Sequence, residues 1–226
     1  MLIDLSYELS KDIPVYPGSP LEEFIPITRI NKGDPSNTTV IHHYLHNGSH
    51  MDAPFHFDLD GKGIDGVPID NCMFKHPLVV ECPKGKSELI TKGDLLACGD
   101  ALNEADILLF NTGYAAYRSD PAKYCDDFPA LSYEAAEFIR NGLSKVKAVA
   151  IDTLSIESAT QGPFQGFPVH RMLLHHSTSQ KRPLVVYEDV CVLLISGQKI
   201  IHLWAFPLRL KGLDGSPVTM VAEVEA

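Results

Sequence analysis

Five of the chain's ten histidines fall between His42 and His56, and the densest chemistry lies in the run HNGSHMDAPFHF, His46 to Phe57. There His46, His50, Asp52 and His56 share eleven residues that hold no Lys or Arg. Two neutral imidazoles and a carboxylate are a common ligand set for zinc, and they also suit manganese or iron. A catalytic ion keeps one position open for water, whose pKa it lowers to about 7. An imidazole beside the ion can then take and return protons at neutral pH. The run therefore reads as metal ligands His46, His50 and Asp52, with His56 as the proton-shuttling base. A lone histidine on an apolar segment is more often structural, which is the reading for His42 and His43. Four such groups bracketed by Gly48 and Pro54 do not fit it.

For these groups to meet, the chain must turn. Thr38–His46 has strand character, and Asn47-Gly48 forces the reversal, since Gly48 tolerates positive φ. His50 and Asp52, two apart, share one face of an extended segment. Pro54 stiffens the approach to His56. Elsewhere the sequence predicts strands at Met1–Leu5, Thr38–Leu45, Pro77–Cys82, Asp106–Asn111, Lys147–Ile151, Pro183–Glu188, Ile200–Phe206 and Val218–Val224. ILLF and AVAI are continuously apolar, as strands buried on both faces are. One helix is expected over Tyr133–Asn141, capped by Ser132 and ended by a left-handed Gly142. A second begins at Pro168. GLDGSP reads as a hairpin turn between two final strands. Together these predict one α/β domain over residues 1–226, with a mixed, strand-rich sheet and no repeated βαβ array.

The bulk properties narrow the function. At 226 residues with 45% hydrophobic content, the core needs no metal to hold it together. A formal charge of −10 argues against nucleic acid and anionic membrane surfaces, which both call for a basic patch. No GxGxxG or P-loop run is present, so nucleotide phosphates are not expected. Five widely spaced cysteines without a CxxC pair suit free thiols in a reducing compartment. There is no signal-peptide pattern at the N-terminus and no apolar run near the roughly 18 residues of a membrane span, so a cytoplasmic protein acting on a small molecule is expected. Tyr16, Phe24, Phe55, Tyr114 and Trp204 are candidates for an aromatic pocket, although each is more readily a core residue.

HNGSHMDAPFHF resembles HxGTHxDxPxHF, the signature of the cyclase family of metal-dependent hydrolases, which includes kynurenine formamidases and isatin hydrolases. Ser49 stands where the family usually has Thr. The resemblance continues through IDLSYELSKDIPVYPG at Ile3–Gly18, DILLFNTGY at Asp106–Tyr114, AVAIDTLSIE at Ala148–Glu157, FPVHRMLL at Phe167–Leu174 and LKGLDGSPV at Leu210–Val218. It implies a swivelling β/β/α fold, assembly as homodimers or tetramers, and one or two divalent ions per chain, zinc or alternatively manganese. It assigns His46, His50 and Asp52 to the first ion, and Asp52, His170 and a downstream glutamate to the second. His56 becomes the catalytic histidine. The downstream glutamate departs from the family spacing: Glu188 lies eighteen residues after His170 but twelve, the family interval, after His176. The match of PVHRMLL favours His170, with HHSTSQKRP as an inserted polar loop, which costs only about 0.6 kcal/mol per doubling of length.

The implied reaction is hydrolysis of a C–N amide bond, with an aryl formamide such as N-formylkynurenine as the first candidate substrate. Opening of a cyclic amide, imide or lactone is the alternative within the same chemistry. A non-catalytic metal-binding protein, with His56 closing the coordination sphere, and a lyase or cyclising enzyme are the readings from other classes.

Overall fold

The computed structural model describes residues 1–225. Among them nine strands form one sheet: β1 Leu2–Asp4, β2 His50–Asp52, β3 Met73–Phe74, β4 Pro77–Glu81, β5 Ile107–Asn111, β6 Ala148–Ile151, β7 Val185–Glu188, β8 Ile200–Pro207 and β9 Gly215–Val224. The order is β3-β8-β9-β2-β7-β6-β5-β4, with β1 also on β9. Strands β4, β5, β6 and β7 run parallel. Every pairing on the other side is antiparallel, including β2 with β7 and with β9. The short β2 is therefore the seam between the two halves.

The apolar runs are explained by cover on both faces. Leu108, Phe110, Val149 and Ile151 pack with helices α1, Tyr133–Gly142, and α2, Pro168–Leu174. Their alternates Ile107, Leu109, Ala148 and Ala150 pack with residues of the antiparallel half, among them Leu203, Ala205, Met220 and Ala222. This is the expected mixed, strand-rich α/β architecture, and GLDGSP spans the end of the connection between the paired strands β8 and β9 and the first residues of β9.

Two local expectations are corrected. Gly142 does not end α1 in a left-handed turn: the helix runs through it to Leu143, at φ −100, whose N–H donates to the Ile139 carbonyl while its side chain is buried. Ser132 does cap the other end, its Oγ accepting from the Ala135 N–H. The strand at Thr38 stops at His42 and stays out of the main sheet, pairing instead with Glu23–Thr28 as a two-stranded ribbon. It cannot continue because Tyr44–Asn47 turns back, with the Asn47 side chain buried and donating to Pro20 O and Glu22 Oε1.

Arg140, 2% exposed, fastens α1 to the end of α2. Its guanidinium donates to the carbonyls of Leu173, His175 and Lys181. These carbonyls include ones that α2 leaves free as it ends, and a cation is favourable there. Arg140→Met keeps the apolar stem but leaves buried acceptors unpaired. Urea unfolding is expected to show a loss of about 2–3 kcal/mol.

Candidate metal centre

Two bends deliver the motif to the seam. Gly48 adopts φ +67, and a Cβ there would come within 2.7 Å of Leu9 Cδ2. Next to it, the Ser49 hydroxyl donates to the Asp189 carbonyl and accepts from the Tyr7 N–H at 2.9 Å. A small hydroxyl is what this position needs. His50 and Asp52 then leave β2 on the same face, both essentially without exposure, while Met51 points into the opposite apolar cluster.

The sheet register brings the remaining groups in. Glu188 on β7 is the cross-strand partner of His50, and Gly215 on β9 is the partner of Asp52. Asp52 Oδ1 lies 2.8 Å from His46 Nδ1 and 3.3 Å from His50 Nε2, and its Oδ2 lies 3.7 Å from His170 Nε2. Glu188 Oε2 is 3.3 Å from His50 Nε2, and its Oε1 is 3.2 Å from His170 Nε2. Of the five residues expected to hold metal, His46, His50 and His170 thus gather round the Asp52 carboxylate, and Glu188 joins through His50 and His170. His176 does not join them. It is about half exposed, with its Nδ1 2.6 Å from Asp58 Oδ2.

Hydrogen bonding fixes which nitrogens face inward. His50 Nδ1 donates to the Gly48 carbonyl at 2.8 Å, and His170 Nδ1 meets Glu157 Oε2 at 2.9 Å. In the neutral ring, the lone pair of each Nε2 then points at the carboxylates. Lone pairs facing anions repel unless a cation lies between them. His50 Nε2 and Asp52 Oδ2 are buried without a hydrogen-bond partner among the described residues. Orphaned atoms of this type, on ligands of this chemistry, fit a divalent ion.

The proton affinities express the same field. Burial opposes charging of His170, but Glu157 and Glu188 outweigh it and raise its pKa to about 10. Burial likewise opposes His50, and Asp52 with Glu188 lift it well above the ordinary imidazole value. Burial and the neighbouring Asp52 charge work against ionisation of Glu188, yet His170 and His50 bring it down to about 2. Against the pull of burial, Asp52 and Asp214 raise His46 to about 8.

His56 sits apart, on the short turn Pro54–His56. Its ring stacks on His46 at 4.0 Å, and its Nδ1 is 3.6 Å from Asp214 Oδ2. Potential ligand atoms of His46, Asp52 and His56 all lie within 4.8 Å of one another, so it is also within reach of an ion held there. A cavity of about 230 Å³ opens beside it, walled by Tyr16, Tyr44, Phe57 and Phe167. Of the five aromatics singled out in the sequence, Tyr16 alone lines it. Phe24 lies on the ribbon, Phe55 is exposed, Tyr114 packs against Tyr124, and Trp204 is on β8.

Two carboxylates escaped the sequence reading. Asp214 Oδ2 lies 2.7 Å from His46 Nε2, brought there by β9. Glu157 accepts from the N–H groups of Val169 and His170 at the start of α2 as well as meeting His170 Nδ1, so it fixes both helix and ring. Glu157 is in the AVAIDTLSIE island and Asp214 in the closing-hairpin island, but neither is close in sequence to a histidine of the centre. Gly215 has a contact role too: a Cβ there would lie 2.7 Å from His46 Cε1. With β9 clamped between two strands, Gly215→Ala must displace the His46 ring. Metal affinity, measured by competition with a chromogenic chelator, is expected to fall roughly 10–100-fold with an unchanged circular dichroism spectrum.

Comparison with known proteins matches residues 3–158 to the family model described as Cyclase. An uncharacterized protein of Haemophilus influenzae is 32% identical over 125 residues, which is 55% of this chain and 88% of that protein. Isatin hydrolase A from Labrenzia aggregata, solved with benzyl benzoate, superposes with a TM-score of 0.83 at 20% identity, covering 98% of this chain and 93% of its own. Isatin hydrolase A from Ralstonia solanacearum gives 0.81 at 19% identity, covering 98% and 91%. A structure described as a predicted metal-dependent hydrolase from Bacillus stearothermophilus gives 0.73 at 23% identity, covering 98% and 97%. At those identities the likeness to solved structures is one of fold. The family match includes the whole of His46–Phe57, and on that ground the chain belongs to the cyclase family.

Proposed function

We propose that this chain is a metal-dependent hydrolase of a C–N amide bond in a small aromatic substrate. One observation carries the reading: buried His50 Nε2 and Asp52 Oδ2 are without hydrogen-bond partners among the described residues, where imidazoles and carboxylates of two strands, a helix and the adjoining turns converge beside an aromatic-walled cavity. His46, His50 and Asp52 would hold a first divalent ion, with Asp52, His170 and Glu188 supplying a second position. Zinc suits this ligand set, as does manganese. Bound there, the ion would polarise the substrate carbonyl and activate water.

The chain's own groups do the rest. Tyr16, Tyr44, Phe57 and Phe167 hold an aromatic ring and exclude water. Asp214 orients His56, and His56 delivers a proton to the leaving nitrogen as the C–N bond breaks. An aryl formamide is the first substrate reading, N-formylkynurenine giving kynurenine and formate. A second reading, opening of a cyclic aryl amide, is favoured by the cavity lining: among the described residues it contains no Lys or Arg to receive the charged tail of an amino acid.

Supporting proposals concern setting and assembly. The cysteines are all free, which fits the reducing cytoplasm. No helix among the described residues is long and apolar enough to cross a membrane. The ribbon Glu23–Thr28/Thr38–His42 exposes Ile25, Ile27, Val40 and Ile41. Two isolated strands are marginal in water, so the ribbon fits a dimer or tetramer in which it packs on a second copy.

The deciding measurement is metal content of the purified protein followed by assay of formamides, lactones and cyclic imides with and without chelator. Chelator-sensitive turnover is expected, and its absence on every substrate would overturn the hydrolase. His56→Ala should retain metal and lose at least about 10²-fold in kcat; loss of the metal instead would make His56 a ligand. Ile27→Asp combined with Ile41→Asp should convert the assembly to monomer in sedimentation experiments. An unchanged oligomer would remove the ribbon from the interface.

A further inference from the structure

The inserted loop HHSTSQKRP has no part in the metal centre, yet it helps enclose a second cavity of about 510 Å³, within the range of small-molecule sites. This cavity shares no lining residue with the one beside His56. Pro54, which begins the His56 turn, is part of its wall, and Val67, Pro68 and Leu184 make the wall apolar.

Two of its cations, both exposed, are not engaged by the protein itself. The chain has six arginines. Arg29, Arg118, Arg140, Arg171 and Arg209 each donate to a carbonyl or carboxylate. Arg182 lines the cavity, and among the described residues it has no acceptor and no ion pair. The same holds for Lys62 and for the side-chain amide of Asn71, which line the same cavity. Lys147 also lines the cavity, but its ammonium is taken: it donates to the carbonyls of Asp70 and Met73 and lies 3.8 Å from Asp106 Oδ2.

Two carboxylates also line the space, and neither neutralises Arg182. Asp58 is engaged by the N–H and Nδ1 of His176 and by the N–H of Asp60. Asp60 is exposed and pairs with none of the cations. An unpaired guanidinium and an unpaired ammonium lining one cavity with an apolar wall match an anion that carries an apolar body. The planar fork of Arg182 suits a carboxylate in particular.

We propose that this cavity is a second small-molecule site, taking an organic acid whose carboxylate meets Arg182 and Lys62 and whose apolar body lies against Val67, Pro68 and Leu184. The site is independent of the hydrolytic reading, and its occupant would rest against the turn that carries His56.

Calorimetric titration of the full chain with 2-naphthoate, 2-naphthamide and inorganic phosphate tests it. Naphthoate should bind, and the amide and phosphate should bind at least about tenfold more weakly. Arg182→Gln should weaken naphthoate by a similar factor, Arg182→Lys by less, and Pro68→Trp, which fills the cavity, should abolish binding. Melting temperatures of all three variants should stay at the parental value. Equal binding of the amide would reduce the cavity to an apolar hole, and equal binding of phosphate would reduce it to an unspecific basic rim. Unchanged naphthoate affinity in both Arg182→Gln and Pro68→Trp would place the ligand elsewhere. Any of these three results overturns the proposal.

Discussion

Asp52 is a carboxylate with no solvent exposure, whose pKa the neighbouring imidazoles hold well below the ordinary value against the effect of burial, and it has Glu188 for a neighbour. Two buried anions so placed are intolerable unless positive charge accompanies them. Protons on His46, His50 and His170 can supply that charge, and a divalent ion supplies it with better geometry. Much of the local architecture serves to keep those imidazoles aimed. Gly48 offers its carbonyl to His50, Glu157 braces His170, Asp214 holds His46, and the backbone N–H of Ile156 steadies Glu188 Oε1 at 2.6 Å. Each brace acts on a different element, so the field at Asp52 is defined by the whole sheet.

The seam position of β2 makes this possible. From one side it receives the carboxyl end of the parallel strands, where α/β proteins commonly place their chemistry. From the other it receives the start of the closing hairpin strand. Behind Glu188, Asp189 adopts φ +52, a strained conformation for a non-glycine residue. It is held there by Arg118, at 2.9 and 2.7 Å, and by the Tyr124 hydroxyl at 2.7 Å. The left-handed residue follows directly on Glu188, where β7 ends.

Much of this was legible in the sequence because it is local. The runs ILLF and AVAI lie within β5 and β6, since burial on both faces demands unbroken apolar residues. The motif made the proximity of His50 and Asp52 legible, since a turn and a short extended segment suffice to face them the same way. What stayed hidden depends on distant pairing. HMD is too short to register as a strand, although β2 joins the two halves of the sheet. Asp214 had a sufficient local explanation as a turn residue, and only the pairing of β9 with β2 brings it to His46, 168 residues away. His176 shows the converse hazard. It has the family's spacing from Glu188, but the inserted loop carries it to Asp58.

The placement of β9 also bears on the order in which the molecule can be made. This last strand pairs with β1 at the beginning of the chain as well as with β2. Strand β2 consequently has neighbours whose sequence positions are more than 130 residues later. During synthesis, the loop carrying His46, His50 and Asp52 is exposed long before its partners exist. Closing such distant pairings is slow and entropically demanding. The candidate metal centre can thus assemble only after β7 and β9 have both been made, and tight retention of an ion would report that the two halves of the sheet had closed on β2.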